Sequence, residues 1–146
     1  MGFFCLISQA KEHIVKTNLD ALYKTNTSLE STGVWFEIND ETAFLIKRFG
    51  GTNAEAVKRA MAKYYKPHSA RIEKGTLDSK KEDEIMAKVF VEACLLDWKG
   101  VEIDGEVKDF DKSLATEFFV ALPELRLDLF SYATSAESYK ETLGNA

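Results

Sequence analysis

Residues 95–105 read LLDWKGVEIDG. This stretch sits at the end of the most strongly patterned part of the chain. Upstream, Ser79 and Glu82 form an S-x-x-E capping box. Glu82, Asp83 and Glu84 occupy the first turn, where the helix dipole favours acids. Ile85, Met86, Val89, Phe90, Ala93 and Leu96 then recur on one wide apolar face. The periodicity predicts a helix from Ser79 to about Trp98, closed by Gly100, with Trp98 anchoring the core. Asp104-Gly105 fits a two-residue type I′ turn between Val101–Ile103 and Glu106–Lys108.

Upstream of that helix, Val34–Ile38 and Ala43–Phe49 are rich in residues that favour a pleated surface, with Asn39–Thr42 as turn chemistry between them. Thr52 and Glu55 suggest another capping box, followed by Ala54, Val57, Met61 and Tyr64 on one helical face. Pro67 is expected to end that helix, and His68–Gly75 to add a short one. Downstream, Asp111 or Ser113 caps a helix bearing Leu114, Phe118 and Ala121-Leu122. Pro123 suits the first position of the next helix, which carries Leu125, Leu129 and Tyr132. A last short helix is expected from about Ser135 to Leu143. At the other end, Phe3–Ile7 reads as a strand-like or irregular start, Ala10–Tyr23 as a helix, and Thr25–Gly33 as a polar connector.

The expected fold is mainly α with a small β component: a helical domain with an N-terminal β-hairpin (about 34–49) and a short hairpin near 101–108. One domain covers residues 1–146, with 1–31 an unassigned N-terminal segment and 32–143 the helical body.

The totals fit that picture. A chain of 146 residues with 45% apolar and 29% charged residues has a globular composition. At this size about 68–70% of the unfolded surface is buried, enough for a core without staples. A net charge of −5 disfavours nonspecific binding to DNA or acidic membranes. Cys5 and Cys94 form no paired motif, so a reducing compartment is expected. Phe3–Ile7 lacks a basic flank and is too short for a signal peptide, and Leu6 stands where myristoylation wants Ser or Thr. No apolar run approaches the ~20 residues of a membrane span.

Catalytic and metal chemistry finds little support in the residues. The two histidines, His13 and His68, have no ligand motif around them. Aligned as a calcium loop on Gly105, the acidic hairpin places Gly100 at the first ligand position and Lys108 in the cage, which defeats the motif. Gly50-Gly51-Thr52-Asn53 precedes a helix but belongs to no phosphate-binding fingerprint, and a strand-to-helix turn is the better use of its glycines. Cys94 lies in the most apolar helix, Cys5 has no activator, and no G-x-S-x-G is present. The chain is expected to be non-enzymatic and to need no cofactor.

One electrostatic feature stands out. Residues 47–81 hold ten Lys or Arg against three acids. Lys63, Lys66 and Arg71, with Tyr64 and Tyr65 for stacking, would suit nucleic acid. A solvated helix face is the favoured reading, and docking of an acidic protein fits the same residues.

Taken in order, the pattern has a family look. It runs from the Trp35 strand through Gly51–Lys66, Leu96-Asp97-Trp98-Lys99-Gly100-Val101 and Asp104-Gly105 to Leu122-Pro123-Glu124-Leu125 and a terminal aromatic near Tyr139. Over about Thr32–Leu143 it resembles the tail assembly chaperones of lambda-type and related long-tailed bacteriophages. The resemblance implies a non-enzymatic protein of the host cytoplasm, absent from the finished virion. It would bind the tape measure protein, help recruit the major tail protein, and self-associate. Many phages also make a longer, frameshifted form. A helix-binding chaperone needs apolar surface that can receive a helix face. Phe118 and Phe119 are adjacent and cannot share one helix face, so Phe118, Leu122 and Leu129 are assigned to the core. Phe119, Leu127 and Phe130 are the apolar partner-binding candidates, with Lys63 and Arg71 as charged ones. The alternatives are a nucleic-acid-binding accessory protein using 47–81 and a structural tail or head–tail joining component.

Overall fold

The computed structural model describes residues 16–140. Two short helices come first, α1 (Leu19–Tyr23) and α2 (Thr27–Thr32), whose N-termini are capped by the side chains of Asn18 and Asn26. Strands β1 (Val34–Glu37) and β2 (Ala43–Ile46) follow. A 3-10 turn at Gly51–Asn53 leads into α3 (Ala54–Ala60). The chain then widens into a π turn at Met61–Tyr65 and runs through Lys66–His68 into α4 (Ser69–Glu73). The longest helix, α5, spans Ser79–Ala93, and β3 (Leu95–Lys99) leaves almost directly from its end. The short strands β4 (Glu102–Ile103) and β5 (Glu106–Val107) precede α6 (Lys112–Ala121), α7 (Pro123–Thr134) and a final 3-10 turn at Ala136–Tyr139.

This architecture corrects the expected one. The strands near 34–49 are not an N-terminal hairpin attached to a helical domain. They are two strands of a three-stranded antiparallel sheet, ordered β1-β2-β3, in the middle of the chain. The fold mixes helices with small antiparallel sheets. Its third strand, Leu95–Lys99, comes from residues whose periodicity reads as helix. The reason lies in one extra residue. Leu45 pairs with Asp97 but Ile46 pairs with Leu95, so Leu96 bulges out of the ladder. Leu95 and Trp98 therefore both turn inward although they are three apart, a helical spacing produced by a strand. A strand here also pairs the backbone of the buried β2 on its second edge, which a helix could not do.

Other boundaries move for local reasons. Residues 27–32 form α2 rather than a loop, because the Asn26 carboxamide accepts from the backbone of Ser28 and Leu29. Pro67 does not end the helical path. Pro67 stands in the first turn of the 3-10 segment Lys66–His68, where a missing N–H costs little, and the chain continues into α4. Asp78, not Ser79, caps α5. The expected helix at 135–143 is a 3-10 turn, and its last three positions lie outside the described residues, as do the expected elements at 1–15.

The core gathers on the inner face of the sheet. Phe44 meets Trp98 edge-on at 6.2 Å and lies 6.3 Å from Phe119, which in turn packs 5.7 Å from Phe90. Such tilted and T-shaped pairs suit the ring quadrupoles. Helix α5 is buried nearly all round in its second half, at Ala87, Val89, Phe90, Val91 and Ala93. Trp98 Nε1 donates to the Lys108 carbonyl at 2.8 Å, fastening β3 to the end of the small hairpin. The hairpin turns at Asp104 and Gly105, both with positive φ as a type I′ turn requires. At Gly100, φ is +70° and a Cβ would collide with the Glu41 carbonyl, so only glycine fits.

At the other end of the sheet a polar junction is buried. Glu30 is 2% exposed and forms an ion pair with Arg48. The backbone of Gly51, at φ +53°, passes so close that a Cβ would run into the Glu30 carboxylate. Asn53, also buried, donates from Nδ2 to the carbonyls of Arg48 and Ala93, each at 2.9 Å. Tyr139, fully buried, donates its hydroxyl to the Ile46 carbonyl at 3.1 Å, and its own carbonyl accepts from Asn26 N. Burial pushes the Tyr139 hydroxyl well above its ordinary pKa, so it remains a protonated donor.

Candidate partner-docking groove

Helices α5 and α7 leave an apolar groove between them. Phe49, Met86, Phe90, Leu127 and Phe130 line it, with Glu82, Asp83 and Arg126 beside them. Its volume is about 250 Å³. Leu127 is 55% exposed and borders this groove. Phe130 is half-buried and packs edge-on against Phe49 at 5.0 Å and Phe90 at 6.3 Å. The ring stack forms the floor, and exposed Leu127 forms one lip.

Position on α7 follows from its sequence. Pro123 opens the helix at its first turn, where a missing N–H costs nothing. Leu127 and Phe130 are three apart and so share a face. Arg126 borders the same groove and is tied down there. Its guanidinium donates to the Phe119 carbonyl at 3.0 Å and to Asp83 Oδ1 at 3.1 Å, and its side chain is 13% exposed. Arg126 thereby clamps α7 to both α5 and the end of α6, holding the groove at fixed width.

The partner-binding candidates separate cleanly. Leu127 and Phe130 come together in the groove. Phe119 does not: it is 0% exposed and belongs to the core beside Phe44 and Phe90. Its neighbour Phe118 is half-buried at 6.1 Å from Trp98, and Leu122, assigned to the core, is 49% exposed at the α6–α7 joint. The break of helix there, with Leu122 at ψ 78°, rotates the apolar stripe of α6 relative to that of α7.

Lys63 and Arg71 lie elsewhere. Lys63 Nζ pairs with Glu92 at 2.9 Å and lies 5.0 Å over the Tyr64 ring, whose hydroxyl also donates to Glu92. The hydrogen bond to Glu92, and then that to Tyr64, raises the Lys63 pKa, so its charge is held on that carboxylate. Glu92 is nine residues along α5 from Asp83, about 14 Å along the axis. Arg71 is exposed on the short α4. The basic segment is thus spread over several elements, and Arg48, Lys63 and Lys81 are each paired with an acid of the same chain.

Sequence reasoning missed Phe49, Met86, Glu82, Asp83 and Arg126. Met86 and the acids read only as parts of one helix, and nothing local links Phe49 to a helix that begins seventy-four residues later. The arginine alone carried a signal, as a long cation set between apolar residues in Leu125–Leu127.

A larger open depression of about 610 Å³ lies between α5 and α6, but five of its nine lining residues are charged and Lys88 is tied to Glu84 at 3.0 Å. Cys94 is buried, which pushes its thiol up to about 12 despite the opposing pull of Lys47, so it packs as a small apolar group. Among the described residues no cluster of three or more His, Cys, Asp or Glu could hold a metal ion, and no helix is long and apolar enough to cross a membrane.

Neither the curated proteins nor the solved structures contain a match to this chain. A family model does match, over residues 52–145, which is more than half of the chain. The matched span holds α3 through α7, both sides of the groove except Phe49, and β3 without the other two strands of its sheet. The protein is phage-derived, and the chain belongs to the YdaY prophage protein family.

Proposed function

We propose that this prophage protein is a phage tail assembly chaperone, which binds the tape measure protein and assists assembly of the tail tube. The observation that carries the reading is the groove between α5 and α7, where exposed Leu127 and half-buried Phe130 border an apolar floor. A tape measure presents long amphipathic helices that aggregate alone, and a groove of this kind receives the apolar face of a helix. The order of motifs from Trp35 to Tyr139 and the prophage family membership both support it. In this reading the chaperone acts in the cytoplasm of the bacterial host, hands the tape measure to the major tail protein, and leaves before the virion is complete. It acts without catalysis. The nucleic-acid alternative draws less support, since Lys63 is engaged by Glu92 and Arg71 stands apart from it.

Co-expression tests the proposal. The tape measure protein of the same phage is expected to stay soluble and to co-purify with this chain. It should precipitate when the chain carries Leu127→Asp. Precipitation of the tape measure with wild-type chain present at equal levels would overturn the proposal, as would recovery of the chain from purified virions.

A further inference from the structure

The groove has a charge of its own. It is smaller than the ~300 Å³ at which small-molecule pockets begin, so it suits one or two large side chains of a macromolecule rather than a metabolite. Its one cation, Arg126, is engaged by Asp83 and the Phe119 carbonyl and is nearly buried. Asp83 remains 48% exposed, and Glu82, one residue before it, has no ion pair among the described residues. Glu124 lies three residues before Leu127, as Phe130 lies three after it, so the carboxylate stands at the head of the same stripe. Glu124 too is exposed and without an ion pair among the described residues. Two carboxylates without an ion pair among the described residues therefore stand near the apolar floor, Glu82 in its lining on α5 and Glu124 one turn before Leu127 on α7.

We propose that the groove selects helices in which a large apolar anchor has Lys or Arg one turn away. The anchor, a Leu, Met or Phe, enters between Leu127 and Phe130 over Met86. The cation one turn along the guest helix reaches Glu82 or Glu124. An acidic guest helix meets like charge at the same place and is refused, so the rim supplies selectivity while the floor supplies contact. This inference rests on the chaperone reading for its biological guest, but the chemistry of the groove can be tested separately.

The experiment uses the full chain and two synthetic amphipathic helical peptides with identical apolar faces, one flanked by Lys and one by Glu. Binding is followed by fluorescence anisotropy at low and high salt. The Lys-flanked peptide is expected to bind about tenfold tighter at low salt, with the gap closing as salt rises. The double variant Glu82→Lys/Glu124→Lys, with an unchanged circular dichroism spectrum, should reverse the preference. Leu127→Asp should remove binding of both peptides. Equal binding of the two peptides, or a preference untouched by the double variant, would overturn the inference. If neither peptide binds while the tape measure is still kept soluble, the groove inference fails and the chaperone reading stands. If the peptides bind with the stated preference while the tape measure is not rescued, the chaperone reading fails and the groove inference stands.

Discussion

Arg48 and Phe49 are neighbours in the chain and serve two regions built on opposite terms. Arg48, itself partly buried, enters a junction in which the polar groups have partners: Glu30 for its charge, Asn53 for two carbonyls, Tyr139 for a third. Phe49 lines a groove in which apolar groups are left open to solvent beside it. The junction has its polar groups inside and satisfied, while the groove has its apolar groups outside and incomplete. Folding alone accounts for the first arrangement. The second lacks a partner within the described residues, and that is where binding is expected. Their difference separates the residues that hold the body together from those that engage another molecule.

The largest expected effect breaks the junction. Arg48→Ala leaves the Glu30 carboxylate buried and unpaired, which costs roughly 3–5 kcal/mol. Urea unfolding should show a large fall in midpoint. Replacing the pair together by Glu30→Leu and Arg48→Met should recover most of that loss, since neither charge is then stranded. If the double variant is as unstable as the single one, the junction is held by something other than its charges. Next comes Asn53→Ala, which removes the donor from two buried carbonyls. A loss of about 2 kcal/mol is expected in the same measurement. Tyr139→Phe deletes one hydroxyl that donates to Ile46, and about 1 kcal/mol should disappear. A loss near zero would mean that the ring alone, not its hydroxyl, closes the junction. Smallest of all is Leu127→Ser. Stability should stay within about 0.5 kcal/mol of the parent, because the side chain is mostly solvated already. Its peptide binding should nevertheless fall sharply, and a large change in unfolding midpoint would place Leu127 with the core instead.

How far the sequence could be read depended on the range of the forces involved. The turn at Asp104-Gly105 is legible because two adjacent positive φ angles demand that chemistry locally. Pro123 marks the start of α7 for an equally local reason. The strand Leu95–Lys99 is not legible. Its bulge gives Leu95 and Trp98 helical spacing, and the pairing that makes it a strand comes from residues 43–46. The same limit governs the groove. Leu127 and Phe130 could be picked from one helix face, whereas Phe49 and Met86 reach them only through the tertiary fold. Phe119 was misplaced because a doublet of phenylalanines says that the two differ in environment, not which of them is inside. Lys63 looked like a free cation until Glu92, twenty-nine residues away, was set against it.

Tyr139 has a consequence for the order of events as the chain is made. It fastens to Ile46, 93 positions earlier, and to Asn26 earlier still. At a synthesis rate of about 5–20 residues per second, β2 waits roughly five to twenty seconds for that partner. Until then Ile46 and Asn26 lack their last hydrogen bonds, and the contacts that cross the whole sequence cannot close. The hydrogen bonds from residue 139 to residues 26 and 46 thus form late in synthesis, only after residue 139 has left the ribosome.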